Sequence, residues 1–168
     1  MLLRIAPIRQ TDWRGFRWHA SLRSFSERLS LSMAETQFFV GVHGVIANRR
    51  RLLVLKRSEL ASYRPGAWDL PGGHLSLGES AEEGLRREIK EETSLDVTVE
   101  RLLGLHNMIH EPYMQALYAC RLTVYQSLTL RPDEHREARW VTPAELEKLE
   151  LIPYLERILG RGMLAYVK

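Results

Sequence analysis

A Pro-Gly-Gly turn followed at once by a strongly acidic segment constrains the fold of this chain more than any other feature of its sequence. The turn, Pro71 to Gly73, does not favour the interior of a helix or a strand, so a loop is expected there. The segment after it concentrates carboxylates in a chain that is otherwise basic: Glu79, Glu82, Glu83, Glu88, Glu91 and Glu92. A loop that leads into such a segment is typical of a site for a hard divalent cation, which takes oxygen ligands.

The acidic segment is predicted to be a helix that starts near Ser80, because Ser80 followed by Glu83 is a capping-box pattern. Successive residues turn by about 100° around a helix axis, which places Glu88, Glu91 and Glu92 within one arc of roughly 100°. A glutamate-rich face is commonly no more than a solvated surface. Here the carboxylates lie toward the helix C-terminus, where the helix dipole disfavours anions, and this favours a metal site.

The opposite side of the predicted helix is expected to anchor it on a core. Its apolar stripe consists of Ala81, Leu85 and Ile89. Arg87 lies beside the carboxylate face and is expected to pair with Glu79 or Glu83, which would tie the preceding loop to the helix.

The spacing of the turn and the acidic residues resembles the Nudix box, a long and specific motif. The matching positions are Gly73, Glu79, Arg87, Glu88, Ile89, Glu91, Glu92 and Leu95. One position departs from the motif, because Ser94 stands where the family has a glycine. That glycine normally follows the helix as a C-cap in the left-handed conformation, so the substitution bears on the cap and leaves the carboxylates in place.

The resemblance implies a metal-dependent hydrolase of nucleoside diphosphates linked to another group, with Mg²⁺ or Mn²⁺ as the cofactor. It assigns metal binding to Glu88, Glu91 and Glu92, together with a backbone carbonyl of the glycine loop, Gly72 or Gly73. We assign Glu91 a catalytic role as well. Cations neutralise the charge of a diphosphate and lower the pKa of bound water, so the implied chemistry is physically consistent.

The resemblance also implies the Nudix fold, an α/β (α+β) architecture with a mixed β-sheet sandwiched between α-helices. It covers roughly residues 36–160, and we assign residues 36–168 to a Nudix hydrolase domain. Residues 1–35 are predicted to be a helical extension that packs on this domain or forms a dimer interface. Hydrophobic periodicity supports a helix over residues 13–34.

The remaining elements follow from β-branched and aromatic runs, turn signals and caps. Strands are predicted over residues 36–47, 51–56, 68–70, 97–108, 113–125 and 139–141. The fourth of these is expected to be broken at Gly104. Thr142 is a predicted N-cap with Pro at the first helical position, and a last helix is predicted from Pro153 to about residue 159.

A second chemical cluster lies in residues 131–140, where a charged loop precedes a short strand. Glu134, His135 and Glu137 are candidates for a further metal ligand or a general base. This stretch also resembles the Nudix branch that hydrolyses GDP-mannose with a histidine base, which suits a residue whose pKa lies near neutrality. A histidine in a charged loop is more often solvated, and that branch departs from the standard box, whereas this chain keeps the full set of acids. We therefore favour attack at phosphorus over attack at the sugar carbon, and Glu134 over His135.

Residues beyond the two clusters are candidates for substrate binding. Arg57 and Arg64 could grip phosphates through bidentate hydrogen bonds. Trp68 and Tyr63 could stack on a nucleobase, and a core position for Trp68 is an equal alternative.

Composition limits the remaining possibilities. The net charge is +3, and the basic residues spread outside the acidic helix, which fits a phosphate-rich small substrate. Nucleic acid is a minority alternative, as an RNA-end or nucleotide-cap hydrolase, and a non-catalytic nucleotide-sensing module is another. The single cysteine, Cys120, lies in an apolar run and is expected to be buried and inert in a reducing cytoplasm. We expect no secretory signal, no membrane span and a possible homodimer.

Overall fold

A computed structural model describes residues 39–107, 113–124 and 126–159, which form a mixed α+β fold around a seven-stranded sheet. The strands in these ranges are β1 (Phe39–Asn48), β2 (Arg51–Arg57), β3 (Trp68–Asp69), β4 (Gly72–His74), β5 (Val97–Asn107), β6 (Tyr113–Leu122) and β7 (His135–Val141). The helices are α1 (Ala81–Thr93), α2 (Pro143–Leu146) and α3 (Pro153–Leu159). The predicted fold class is confirmed.

Strand β1 organises the sheet, because it changes partner along its length. It runs parallel to β6 from Phe39 to Ile46. On its other side, the first half pairs antiparallel with β4, and the last two residues form the hairpin with β2. Strand β2 then continues away from β1 and pairs with β3 and β7. The sheet therefore divides beside the middle of β1, next to the glycine-rich β4.

Two apolar clusters lie on opposite faces of the sheet, as the alternation of side chains along β2 shows. Leu52 and Val54 belong to the cluster that includes α3, whereas Leu53 and Leu55 belong to the cluster that includes α1. The predicted arrangement of a sheet between helices is thus confirmed. Leu85 and Ile89 of the predicted apolar stripe are fully buried, which anchors α1 on its cluster.

The element boundaries differ from the predicted ones where tertiary pairing extends a strand. Strand β7 starts at His135 instead of residue 139, because it pairs with β2 as far as Arg57. The predicted break near Gly104 appears as a shift of register between β5 and β6. The prediction of a helical extension over residues 1–35 lies outside the described ranges. Among the helices within those ranges, none is long and apolar enough to cross a membrane.

Cys120 of β6 is buried in the cluster below α1, as predicted. Burial raises the pKa of its thiol to about 12. The thiol therefore stays protonated near neutrality and is a poor nucleophile, because the reactive form of cysteine is the thiolate.

Both ends of α1 are capped, and the C-terminal cap explains the departure from the Nudix box. At the N-terminus, Ser80 and Glu83 form the predicted capping box. At the C-terminus, Ser94 adopts the left-handed conformation with φ of 59° and donates its backbone N–H to the carbonyl of Lys90. The chain thus keeps the helix-ending geometry that glycine favours, although serine adopts it at a conformational cost.

Replacing Ser94 by Gly is therefore expected to stabilise the protein by about 1 kcal/mol, because glycine adopts positive φ without the clash of a Cβ atom. The Ser94 side chain is exposed, so little packing is lost. Chemical denaturation would measure the change. An unchanged or lower free energy of unfolding would contradict it, and Ser94→Ala, which keeps the Cβ atom, is the matched control.

Candidate active site

A cavity of about 630 Å³ lies where the sheet divides. Its walls come from the first half of β1, strand β4, the end of β2, helix α1, and the loop before β7. Gly72 and Gly73, expected in a loop, are part of β4 and are called the glycine loop here. Both acidic clusters predicted from the sequence therefore meet in one cavity. The walls also include the start of β6 and of α3, which had no predicted role.

Helix α1 presents its three predicted carboxylates to different environments. Glu92 is buried, the Glu88 side chain is 16% exposed, and the Glu91 side chain is 44% exposed. Glu88 and Glu92 line the cavity. Glu91 lies nearer the rim, where one carboxylate oxygen is 3.7 Å from a guanidinium nitrogen of Arg131. The three carboxylates lie on one face of α1, as predicted, but their surroundings range from the cavity wall to solvent.

Glu92 is held from two sides. Its Oε2 accepts the backbone N–H of Gly72 at 2.8 Å, and its Oε1 lies 2.7 Å from Nε2 of His135. Burial raises the pKa of the Glu92 carboxyl above its usual range, while the His135 and Gly72 contacts act in the opposite direction. A cation beside Glu92 would favour the ionised form.

The glycine loop lets the backbone approach these carboxylates. At Gly72, φ is 142°, and an added Cβ would lie 2.1 Å from the carbonyl oxygen of Val42. At Gly73, an added Cβ would lie 2.6 Å from Oε2 of Glu88. A side chain at Gly72 would therefore push the backbone away from β1, and one at Gly73 would push it away from α1. This cradle of glycine backbone and carboxylate oxygens fits a hard divalent cation.

Arg87 ties the loop to the helix. Its guanidinium donates to both carboxylate oxygens of Glu79, at 3.0 and 2.7 Å, and to Glu88 at 2.9 Å. It also donates to the backbone carbonyl of His74 in β4. These hydrogen bonds from Arg87 lower the pKa of Glu79 to about 2. The predicted pairing of Arg87 with Glu79 is confirmed, and it fixes the position of Glu88.

The loop before β7 adds two groups to the same site. Potential ligand atoms of Glu92, Glu134 and His135 all lie within 4.8 Å of one another. The expectation of a solvated His135 is wrong: the side chain is buried, because β7 begins at this residue and pairs with Arg57. Glu134 is half exposed and lies 3.1 Å from Arg131. Glu137 does not line the cavity and pairs with Arg139.

Of the four predicted substrate-binding residues, Arg57 and Tyr63 line the cavity, and the other two lie outside its lining. Arg57 lines the cavity, where its Nε donates to the carbonyl of Tyr63 and Nη1 lies 3.5 Å from Asp69. Arg64 is not among the lining residues. The stacking role considered for Trp68 is wrong. The residue is 3% exposed and belongs to the apolar cluster of α3, so neither face of its ring is open to a nucleobase.

The polar residues of the cavity that sequence reasoning missed include His43, Asp69, Gln115 and Tyr154. The signal that could have found His43 is its place in an otherwise apolar strand, Val-His-Gly-Val, where a polar side chain needs a reason. Asp69 accepts the backbone N–H of Leu70 and the hydroxyl of Tyr154. The contact with Tyr154 joins segments 85 positions apart, which sequence spacing does not reveal.

This chain is similar to known proteins over most of its length. The family model described as NUDIX domain matches residues 37–159. A MutT-like protein from Streptomyces ambofaciens is 31% identical over 121 residues, covering 71% of this chain and 74% of the relative. An ADP-ribose pyrophosphatase from Methanocaldococcus jannaschii is 41% identical over 68 residues, covering 40% of this chain and 39% of the relative. A solved MutT protein from Methanosarcina mazei Go1 superposes with a TM-score of 0.65 and 29% identity, covering 77% of this chain and 95% of that one.

Proposed function

Because the chain belongs to the NUDIX family and is a Nudix-type pyrophosphohydrolase, we propose that it is a divalent-metal-dependent enzyme in which water attacks phosphorus. The family hydrolyses compounds in which a nucleoside diphosphate is linked to another group. The substrate is then a small nucleotide whose diphosphate bridge enters the cavity between α1 and the loop before β7.

The placement of Glu92 is the observation that carries this proposal. A buried carboxylate held by a backbone N–H of the glycine loop and by an imidazole is fixed in one orientation. Glu88 and Glu134 share its cavity. Carboxylates that share a cavity repel one another, and burial also deprives Glu92 of hydration, so an array of this kind is costly without a cation. A cation held by these residues would remove both costs.

Mg²⁺ or Mn²⁺ is the proposed cofactor, held by Glu88, Glu91 and Glu92 with the backbone carbonyl of Gly72. When bound, such an ion neutralises phosphate charge and acidifies water. The residues of the chain supply the geometry. Arg87 holds the Glu88 carboxylate in place, and Gly72 brings the loop backbone to Glu92. Glu91 lies at the rim of the cavity, and we propose that it acts on the side of the metal site that is nearer to bulk water.

Glu134 is the proposed general base. It accepts a proton from the attacking water as the new oxygen–phosphorus bond forms and the bridging oxygen–phosphorus bond breaks, and the leaving phosphate carries away the bridging oxygen. Its half-exposed carboxylate has access to water. His135 is poorly suited to this task, because Nε2 is engaged with Glu92 and Nδ1 is buried with no hydrogen-bond partner in the described part of the chain.

Arg57 is the proposed phosphate anchor at the cavity wall. The carbonyl of Tyr63 and the carboxylate of Asp69 orient its guanidinium. A guanidinium that is already oriented loses less freedom when it binds an oxyanion. The proposed role of Arg64 stays a prediction, since this residue lies outside the cavity lining.

Hydrolysis of a nucleotide panel in ¹⁸O-labelled water tests the function. The panel contains ADP-ribose, nucleoside diphosphate sugars including GDP-mannose, dinucleoside polyphosphates, nucleoside triphosphates and capped RNA. We expect turnover that EDTA abolishes and Mg²⁺ or Mn²⁺ restores, with the label in a released phosphate group. Phosphate-containing products that carry no label would contradict attack at phosphorus.

The same experiment decides among the alternatives. Label only in the released sugar would indicate the GDP-mannose branch and a base role for His135. Turnover of capped RNA alone, with strong salt dependence, would indicate an RNA-end hydrolase. Binding of nucleotides without turnover under any metal would indicate a sensing module. A homodimer and a cytoplasmic location stay predictions.

A further inference from the structure

One wall of the cavity offers a hydrogen-bond donor that the proposed hydrolysis does not use. Gln115, near the start of β6, lines the cavity beside Gly41 and His43 of β1. Its Oε1 lies 2.9 Å from Nε2 of His43. Among the described residues, the Nε2 amide group has no hydrogen-bond partner. An amide group with two N–H donors therefore faces a cavity that accepts a nucleotide.

His43 determines which end of the Gln115 amide faces the cavity. With a proton at Nε2, the imidazole donates to Oε1 of Gln115, and the amide nitrogen must point elsewhere. The ring itself lies against Tyr154, with 4.8 Å between ring centroids. The amide orientation is therefore fixed by a buried, packed neighbour.

Gly41 provides the space that this arrangement needs. The Gln115 amide lies directly over Gly41, where an added Cβ would come within 2.1 Å of Oε1. Gly41 is paired with His74 on one side and with Gln115 on the other, and its missing side chain leaves the room that the Gln115 amide occupies beside His43.

The distance between Gln115 and the proposed metal site also suits a nucleotide that contacts both. Gly72 of β4, which contacts Glu92, is paired with β1, and β6 is the next strand beyond β1. Adjacent strands are about 4.8 Å apart, so Gln115 lies on the order of 10 Å from the glycine loop across the sheet. A nucleoside attached to a diphosphate at the loop spans such a distance.

We propose that Gln115 is a specificity-determining residue that donates a hydrogen bond to a carbonyl oxygen of the substrate nucleobase, with His43 as its positioning residue. This inference rests on the proposed function, since it takes the nucleoside of that substrate as the ligand. Guanine and uracil present a carbonyl where adenine and cytosine present an amino group. The geometry thus favours the carbonyl-bearing member of each pair.

Equilibrium binding of nucleoside diphosphates in the presence of Mg²⁺ tests this inference without requiring turnover. The wild-type protein is expected to bind GDP more tightly than ADP, and UDP more tightly than CDP, by about tenfold in each pair. Gln115→Met keeps the length of the side chain and removes the donor. The ratio of GDP to ADP affinity and the ratio of UDP to CDP affinity should therefore both fall to about one. Gln115→Glu replaces the donor by an acceptor and should reverse both ratios, even if its charge weakens all binding.

The positioning role of His43 has its own readout. His43→Phe keeps a ring against Tyr154 but removes the N–H, so the amide can turn and both ratios should fall. In the Gln115→Met background, His43→Phe should change neither ratio, because its effect acts through the amide. Thermal unfolding checks that each variant is folded.

The outcomes separate this inference from the proposed function. Wild-type ratios near one, or ratios that Gln115→Met leaves unchanged, would overturn the inference whatever the catalytic activity. A change confined to the preference between ribose and 2′-deoxyribose would assign Gln115 to the sugar and also overturn it. Base-selective binding that depends on Gln115, in a protein without hydrolytic activity, would support the inference and contradict the proposed hydrolase.

Discussion

Glu92→Gln is expected to lower kcat by on the order of 10³, equivalent to about 4 kcal/mol of lost transition-state stabilisation, while the protein stays folded. The substitution removes one negative charge and keeps the shape of the side chain. The glutamine oxygen can still accept the N–H of Gly72, and its amide can donate to the imidazole of His135 in the other tautomer. The loss of rate therefore reports the charge that the proposed cation requires.

Stability provides the internal check on this experiment. Because burial disfavours ionised Glu92, a neutral glutamine should leave the free energy of unfolding unchanged or raise it slightly. A variant with lower kcat and undiminished stability would identify Glu92 as functional. The matched control is Glu82→Gln, which makes the same change of charge on an exposed position of α1 outside the cavity lining. A folded Glu92→Gln variant with the wild-type rate would refute the metal site.

The acidic helix could be predicted from the sequence because its determinants are local. The capping box at Ser80, the pairing of Arg87 with Glu79 and the apolar stripe all depend on spacing within a few helical turns. The same holds for the hairpin of β1 and β2 and for the Thr142 cap of α2. Each of these features joins residues that are close in sequence.

The interior of the cavity could not be predicted, because it depends on strand pairing between distant segments. His135 was expected to be solvated because its neighbours in the sequence are charged, yet the pairing of β7 with β2 buries it against Glu92. Trp68 was considered for base stacking because it precedes the glycine loop, yet its strand faces the cluster of α3. In both cases the partner lies on a segment that the sequence places far away.

The polar wall of the cavity, formed by His43 and Gln115, also depends on strand pairing between distant segments. His43 and Gln115 are seventy-two positions apart, and only the parallel pairing of β1 with β6 brings them into hydrogen-bond distance. Parallel strands require a long connection, so no local pattern announces their register. Here the connection contains the whole Nudix box, which means that one crossover brings both the carboxylates and the polar wall to the same cavity.

Gly72→Ala is expected to destabilise the protein by about 4 kcal/mol, the second large effect that the structure predicts. The backbone at Gly72 has φ of 142°, a conformation that residues with a Cβ rarely adopt. The added methyl group would also lie 2.1 Å from the carbonyl oxygen of Val42, which belongs to a paired strand and cannot move alone. Strain and overpacking each cost roughly 1–3 kcal/mol, and here both act on one atom.

Gly78→Ala is the control that separates the two causes. Gly78 also has positive φ, at 91°, but an added Cβ there would meet no atom within 4 Å. Its substitution should cost only the conformational strain, about 1–2 kcal/mol. Chemical denaturation of both variants measures the difference, which we assign to the contact with Val42. Equal losses at the two positions would mean that the glycine loop can move away from β1, and the close approach of its backbone to Glu92 would then not be a fixed property of the fold.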